Sequence, residues 1–183
     1  MKNNLRFLIF NFVGLQATWA ACAYGATHSF PALGVIVGAT YVIAHFYLSK
    51  QRIRDLVTML IIATVGIILD IALTQVHILS FPNDANNFLP IPIWLIALWF
   101  VFSLMVPYSL YWLGANLKIA AIAGAIGGSF SYFLGHKLGA LQLADPLAVS
   151  AGIYFLKWGI IFPAALITVK YITSSHLKRK AIV

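Results

Sequence analysis

The chain has 183 residues, of which 62% are hydrophobic and only 9% are charged. Soluble domains carry roughly a quarter charged residues, so this composition excludes a soluble globular protein and a disordered one. The formal net charge of +8 arises from twelve Lys and Arg against four acidic residues, all of them Asp. In a soluble protein this excess would point to nucleic acid, whereas in a membrane protein cations concentrate in cytoplasmic loops.

Six apolar segments are long enough to cross a hydrocarbon core of about 30 Å as helices. In chain order they cover residues 5–26, 30–49, 56–79, 93–115, 117–139 and 147–171. The first begins like a signal peptide, but it is long enough to span, and we expect it to be retained as a helix. The sequence therefore predicts an all-α polytopic membrane protein, a single integral domain over residues 1–183 forming a six-helix transmembrane bundle.

The basic residues set the orientation of this bundle. With a cytoplasmic N-terminus, ten of the twelve cations fall on the cytoplasmic side: Lys2, Arg6, Lys50, Arg52, Arg54, Lys118, Lys170, Lys178, Arg179 and Lys180. Lys137 falls on the outer side and Lys157 inside the last helix. We therefore predict that both termini are cytoplasmic and that no nucleic acid is bound, while Lys178 to Lys180 contact anionic lipid head groups.

Two opposite charges fall inside predicted helices at nearly the same depth. Asp70 lies about 4 Å to the outer side of the midpoint of the third segment, and Lys157 lies a few Å to the same side in the sixth. An isolated charge at this depth is costly, and an opposite charge can offset much of the cost. We therefore predict that the third and sixth helices are neighbours and that Asp70 faces Lys157.

This pair has a functional and a structural interpretation. At helical spacing Thr74 and His77 share the face of Asp70, and Tyr154 shares the face of Lys157, so these five side chains would line a polar substrate site open to the outer side. Alternatively, the pair only holds two helices in register. An outward-opening polar cavity would favour the functional interpretation. A pair sealed in direct contact would favour the structural one.

Small residues recur along the fifth segment. They are Gly124, Gly127, Gly128, Ser131 and Gly135, with Gly139 continuing the four-residue spacing. Small residues let helix backbones approach closely in a membrane. We therefore expect the fifth helix in the middle of the bundle, packed on two sides. Pro107 and Pro163 interrupt the fourth and sixth segments, where each removes a backbone donor and predicts a kink.

Motifs for metal, nucleotide or nucleophile chemistry are missing from the sequence. The five histidines form no metal-ligand spacing, and the single cysteine, Cys22, cannot form an internal disulfide. No phosphate-binding loop, dinucleotide fingerprint or nucleophile elbow is present. We therefore expect no metal and no cofactor.

Three sequence runs carry a family resemblance: Leu89 to Phe100, Ser109 to Leu113 and Gly124 to Tyr132. Together with Asn11 to Trp19, His45 and Asp70, they resemble the bacterial family called domain of unknown function 2878. The resemblance implies a small polytopic protein of the bacterial inner membrane. It supplies topology and location, but no reaction.

Our primary hypothesis is a protein that binds or translocates a small or amphipathic molecule at the Asp70 and Lys157 site. One alternative is the substrate-binding membrane subunit of a larger importer, which would need a partner to energise transport. Another is a membrane-embedded lipid-modifying enzyme, with Asp70 and an outer-side histidine as acid and base. Membrane lipids are expected partners. A role as an accessory scaffold remains an alternative, and the sequence leaves open whether the chain binds another membrane protein or forms a homo-oligomer.

Overall fold

The computed structural model describes residues 5–81 and 89–180, with side chains as far as residue 175. Its six helices are α1 (Leu5–Thr27), α2 (Ala32–Leu48), α3 (Arg52–Gln75), α4 (Ile93–Met105), α5 (Leu117–Leu138) and α6 (Leu147–Lys180). A 3-10 helix follows α4 at Tyr111–Ala115, and two short strands, β1 (Leu79–Ser80) and β2 (Gln142–Leu143), pair antiparallel. The fold is therefore all-α, as predicted, apart from this two-stranded ladder.

Four helices are long and apolar enough to cross a membrane. These are α1, α3, α5 and the part of α6 over Leu147–Ser175. The other two apolar helices, α2 and α4, are shorter, and at 1.5 Å per residue α2 extends for about 25 Å. The structure therefore supports a membrane protein with at least these four candidate spans.

The ends of α3, α4 and α6 differ from the prediction. α4 ends at Met105 instead of residue 115 because Pro107 has no backbone donor, and the chain continues into turns rather than a kinked helix. α3 spans Arg52–Gln75 instead of 56–79, and it ends before His77, which has a left-handed φ of 59°. α6 continues to Lys180 instead of ending at residue 171, because no Gly or Pro follows Pro163.

Consecutive helices run in opposite directions. Tyr41, in the last half of α2, contacts Asn11 near the start of α1, and Tyr108, after α4, contacts Asp55 near the start of α3. Lys170, late in α6, donates to the carbonyl of Gly114, just before α5. We call this end of the bundle the basic end; it carries Arg6, Lys50, Arg52, Lys118 and Lys170. The opposite end, with β1 and β2, is the strand end.

The middle of the bundle is occupied by α4 rather than by α5. α4 packs on α1, α2 and α3, whereas α5 packs mainly on α6 and touches α1 only sparsely. The expectation that α5 is the central helix is therefore wrong. α4 has apolar residues on all sides and buries Trp94, Trp99 and Val101, and a helix of that kind belongs in the core.

The small residues of α5 serve different neighbours. A Cβ at Gly124 would collide with Phe162, and one at Gly128 with the indole of Trp158, so both glycines allow α6 to approach closely. Gly135 lies beside Leu141, and Ser131 accepts a 2.8 Å hydrogen bond from Trp19 of α1. Gly127 was expected in a helix contact, but a Cβ at this position would meet no heavy atom within 4 Å.

Candidate functional site

An ion pair joins α3 to α6 in the interior of the bundle. The ammonium of Lys157 donates to Oδ1 of Asp70, whose side chain is fully buried, and the Lys157 side chain is only 6% exposed. The prediction that these two helices are neighbours with the two charges facing each other is confirmed. A buried charge in hydrocarbon needs a counter-charge at its own depth, and these two residues supply one to each other.

Two more helices contribute donors to the same carboxylate. Nε1 of Trp99, on α4, lies 2.7 Å from Oδ2 of Asp70, and the hydroxyl of Tyr132, on α5, lies 2.5 Å from the same oxygen. Asp70 therefore accepts hydrogen bonds from α4, α5 and α6 at once. One carboxylate connects four of the six helices.

Aromatic rings surround the ammonium group of Lys157. Its Nζ lies 4.6 Å from the ring centroid of Tyr132, 5.0 Å from that of Tyr154, 5.6 Å from that of Trp99 and 5.8 Å from that of Trp158. All four distances are within the range of cation–π attraction. The rings compensate part of the hydration that the ammonium loses on burial, and they separate the pair from the lipid.

The structure brings together only part of the predicted substrate site. Tyr154 is buried against Tyr132 and Lys157, but Thr74 donates to the backbone carbonyl of Asp70, in its own helix. His77 is exposed in the turn that follows α3. The pair is sealed in direct contact, which argues against Asp70 and Lys157 as direct ligand contacts in this conformation.

A cavity of about 450 Å³ lies next to the ion pair, between α1 and α5. Along α5 its lining runs from Ala123 to Leu134, which corresponds to about 16 Å at 1.5 Å per residue. The lining includes Phe12 and Gln16 of α1, Phe102 of α4, Gly127 of α5 and Phe162 of α6. Its volume is within the range of about 300–1,000 Å³ found for ligand pockets, and its wall is largely apolar.

The ion pair and the cavity share one wall. Trp99, Tyr132 and Trp158 line the cavity and also surround Lys157. The indoles of Trp99 and Trp158 stack with centroids 5.4 Å apart and an interplanar angle of 10°. Because Asp70 accepts from both Trp99 and Tyr132, the buried carboxylate fixes the position of two cavity-lining rings.

Sequence reasoning missed the donors on Trp99 and Tyr132. Tryptophan and tyrosine in membrane helices most often anchor the interfaces or fill the core, so their presence did not indicate partners for Asp70. Their depth was a usable signal, because a buried indole N–H or phenol O–H normally finds an acceptor.

A second polar cluster, also missed, is buried at the basic end. Asp55 accepts from Nε and Nη2 of Arg54, at 3.0 and 2.7 Å, and from the hydroxyl of Tyr108, at 2.6 Å. Ser49 donates to the same carboxylate, and Nε2 of His45 lies 3.3 Å from it. Because the third segment was predicted to begin at residue 56, Arg54 and Asp55 fell outside it. The structure places them inside α3.

The cluster extends from His45 to α1. Nδ1 of His45 lies 2.9 Å from Oδ1 of Asn11, which also accepts from the hydroxyl of Tyr41 at 2.5 Å. Asn11 and His45 are both fully buried. We call these seven side chains the basic-end network: Asn11, Tyr41, His45, Ser49, Arg54, Asp55 and Tyr108. It joins α1, α2, α3 and the turn after α4, and its members hydrogen-bond one another.

Comparisons with known proteins agree with the resemblance seen in the sequence. Neither curated proteins nor solved structures gave a match. The family model described as protein of unknown function (DUF2878) matches residues 8–164, which include the ion pair, the cavity wall and the basic-end network. The chain therefore belongs to the DUF2878 family.

Proposed function

We propose that the protein crosses the bacterial inner membrane six times, with the basic end in the cytoplasm. The alternating direction of the helices supports six crossings, with α4 and the 3-10 helix Tyr111–Ala115 together forming the fourth. Arg6, Lys50, Arg52 and Lys118 lie at one end of the bundle, as the positive-inside rule requires of a cytoplasmic face.

We propose further that the protein binds an amphipathic or lipid-like molecule in the cavity between α1 and α5. The observation that carries this proposal is the cavity itself, about 450 Å³ within the membrane-spanning part of the bundle. Phe12 and Phe130 line it and are 51% and 64% exposed, so it is bordered by side chains on the lipid-facing surface. An apolar chain can therefore enter sideways from the bilayer.

One polar group in the cavity favours an amphipathic occupant over a plain hydrocarbon. Gln16 lies near the middle of α1 and lines the cavity, and its side-chain amide has no hydrogen-bond partner among the residues that the structure describes. An amide in hydrocarbon is stabilised when it finds a partner. A carbonyl or hydroxyl on the bound molecule would supply that partner.

In this proposal Asp70 and Lys157 are positioning residues rather than ligand contacts. They act through Trp99, Tyr132 and Trp158, whose rings form one wall of the cavity. The ring of Tyr154 packs against the ring of Tyr132. The proposed apolar cavity therefore differs from the polar substrate site predicted from the sequence, which included Thr74 and His77.

The test uses a cavity-filling substitution and a matched control. Gly127→Leu places a side chain in the cavity, and its Cβ meets no heavy atom within 4 Å. Gly152→Leu makes the same change at an exposed glycine of α6, whose Cβ also has open space. Both variants should therefore fold, and only the first should fill the cavity.

The probe is a phosphatidylglycerol with a diazirine on one acyl chain, in nanodiscs of phosphatidylglycerol and phosphatidylethanolamine. After irradiation, mass spectrometry measures adducts on the α1 and α5 residues that line the cavity. We expect Gly127→Leu to reduce these adducts at least about 5-fold, since a loss of 1 kcal/mol or more in binding corresponds to about that factor. Unchanged adducts in Gly127→Leu, or an equal loss in Gly152→Leu, would contradict the proposal.

A further inference from the structure

The cavity between α1 and α5 is closed toward the strand end. Nε1 of Trp19, on α1, donates to the hydroxyl of Ser131, on α5, at 2.8 Å, and both residues line the part of the cavity nearest that end. Past this hydrogen bond the space between the helices shrinks to about 30 Å³ and ends at Ala140 and Leu141, which are each 4% exposed. That volume has room for roughly one or two water molecules, so a lipid head group does not fit there.

Toward the basic end the cavity continues into a surface groove. The groove has a volume of about 570 Å³ and lies between the start of α1 and the 3-10 helix Tyr111–Ala115. Phe12 lines both the groove and the cavity. Leu8, Phe12, Leu15 and Trp19 follow one another at helical spacing, so a single face of α1 runs from the groove through the cavity.

The residues of the groove place it at the level of the lipid head groups. Tyr111 and Trp112 line it and are 36% and 69% exposed, and both residue types favour the membrane–water interface. The hydroxyl of Ser109 donates to the backbone carbonyl of Leu8 at 2.7 Å, which joins the two walls of the groove. The groove therefore connects the cavity to the interface at the basic end.

Basic side chains lie beside the groove. Arg6 is exposed and precedes Ile9, a groove residue, by three positions, which puts the two on the same side of α1. Lys118 is exposed in the first turn of α5, three residues after the 3-10 helix ends. Cations at this level attract anionic lipids. The groove therefore favours a negatively charged head group.

We propose that the occupant is an anionic phospholipid from the leaflet at the basic end, with its phosphate beside Arg6 and one acyl chain in the cavity. This inference rests on the proposed function and adds the leaflet, the direction of the molecule and the charge of its head group. The cavity extends about 16 Å along α5, which is about half of a hydrocarbon core of about 30 Å. An acyl chain anchored at one interface fills one leaflet and reaches that depth.

The position of Gln16 agrees with this direction. Side chains in a helix point toward its N-terminus, which for α1 is at the basic end. The amide of Gln16 therefore covers the turn at Phe12, where the groove meets the cavity. The ester carbonyl of a phospholipid lies just below its phosphate, at this level, and it accepts a hydrogen bond from the amide.

The test uses two phosphatidylglycerol probes of equal chain length, one with its diazirine next to the ester and one with it at the methyl end. In nanodiscs of phosphatidylglycerol and phosphatidylethanolamine, we expect the first to label Leu8 and Trp112 in the groove and the second to label the cavity near Trp19. Since one molecule occupies both spaces, Gly127→Leu should reduce both sets of adducts at least about 5-fold. Gly152→Leu should leave both unchanged.

The pattern of adducts separates this inference from the proposed function. If Gly127→Leu reduces the cavity adducts and leaves the groove adducts unchanged, the inference is overturned and the proposed function stands. The same conclusion follows if the ester-proximal adducts that Gly127→Leu removes lie at the strand end. If the methyl-end probe gives no cavity adducts in the wild type, both the proposed function and the inference are overturned.

A second comparison tests the charge of the head group. Phosphatidylglycerol and phosphatidylcholine probes with identical methyl-end diazirines are each added in trace amount to phosphatidylcholine nanodiscs. We expect about 5-fold more cavity adducts from phosphatidylglycerol, because one basic residue near the surface favours an anionic lipid by about that factor. Arg6→Gln should remove most of this preference.

Lys50→Gln is the matched control, because it removes an exposed cation at the basic end between α2 and α3. It should retain the preference for phosphatidylglycerol. Equal adducts from the two probes in the wild type would overturn the anionic head group. A preference that Arg6→Gln leaves unchanged, or that both variants lose equally, would overturn the placement of the phosphate beside Arg6.

Discussion

Asp70 and Lys157 lie 87 residues apart in the chain and in direct contact in the fold. Each is buried, so removal of one leaves the other as an uncompensated charge. We expect Lys157→Met to lower the free energy of unfolding by about 3–5 kcal/mol. Unfolding of the purified protein in detergent by a denaturing surfactant measures this change.

The double variant Asp70→Leu with Lys157→Met is the control for that experiment. It removes both charges together, and apolar replacement of a buried pair is often neutral or stabilising. We expect it to recover part of the stability lost in Lys157→Met, since the uncompensated charge is gone but Trp99 and Tyr132 lose their acceptor. If the double variant is as unstable as the single one, uncompensated charge is not the reason for the loss.

Gly127 and Gly128 are neighbours in α5 with opposite surroundings. A methyl group at Gly128 collides with the indole of Trp158, whereas one at Gly127 enters open space. We expect Gly128→Ala to destabilise the protein by about 1–3 kcal/mol through overpacking, and Gly127→Ala to stabilise it by about 0.5–1 kcal/mol through helix propensity. Surfactant-induced unfolding compares the two, and equal effects would show that α6 adjusts freely to α5.

Asp55 neutralises the buried cation Arg54, accepts from Ser49 and Tyr108, and lies 3.3 Å from Nε2 of His45. We expect Asp55→Asn to cost about 3–5 kcal/mol of stability, because it removes the carboxylate charge that is paired with the buried Arg54. Ser49→Ala removes one donor and should cost only about 1 kcal/mol. The same unfolding assay measures both, and a similar cost for the two variants would refute a charge-based role for Asp55.

The orientation of the bundle can be measured with single cysteines in a Cys22→Ser background. Lys50 lies at the basic end and Lys137 near the strand end, and both are exposed. In intact cells with a permeabilised outer membrane, we expect a membrane-impermeant maleimide to label Lys137→Cys. Lys50→Cys should react only after lysis. The reverse pattern would invert the proposed topology.

The two charged residues inside predicted helices were the most informative feature of the sequence. Asp70 and Lys157 could be paired from depth alone because a buried charge leaves few alternatives. The central position of α4 could not be predicted in the same way. Small residues on α5 indicated close helix packing, but they did not indicate which helix packs there. The basic-end network was missed because it depends on where α3 begins, and a four-residue error moved Asp55 from a helix into a loop.

The stacked indoles of Trp99 and Trp158 also have a practical consequence. They stand at the cavity wall, next to a fixed ammonium group and a carboxylate, both of which influence indole emission. A molecule bound in the cavity as proposed, and in contact with these indoles, would change their local field. The chain has five tryptophans, so Trp99→Phe and Trp158→Phe would identify their share of the signal. If the cavity binds the proposed molecule, these indoles report its occupancy, and intrinsic fluorescence can screen ligands without a label.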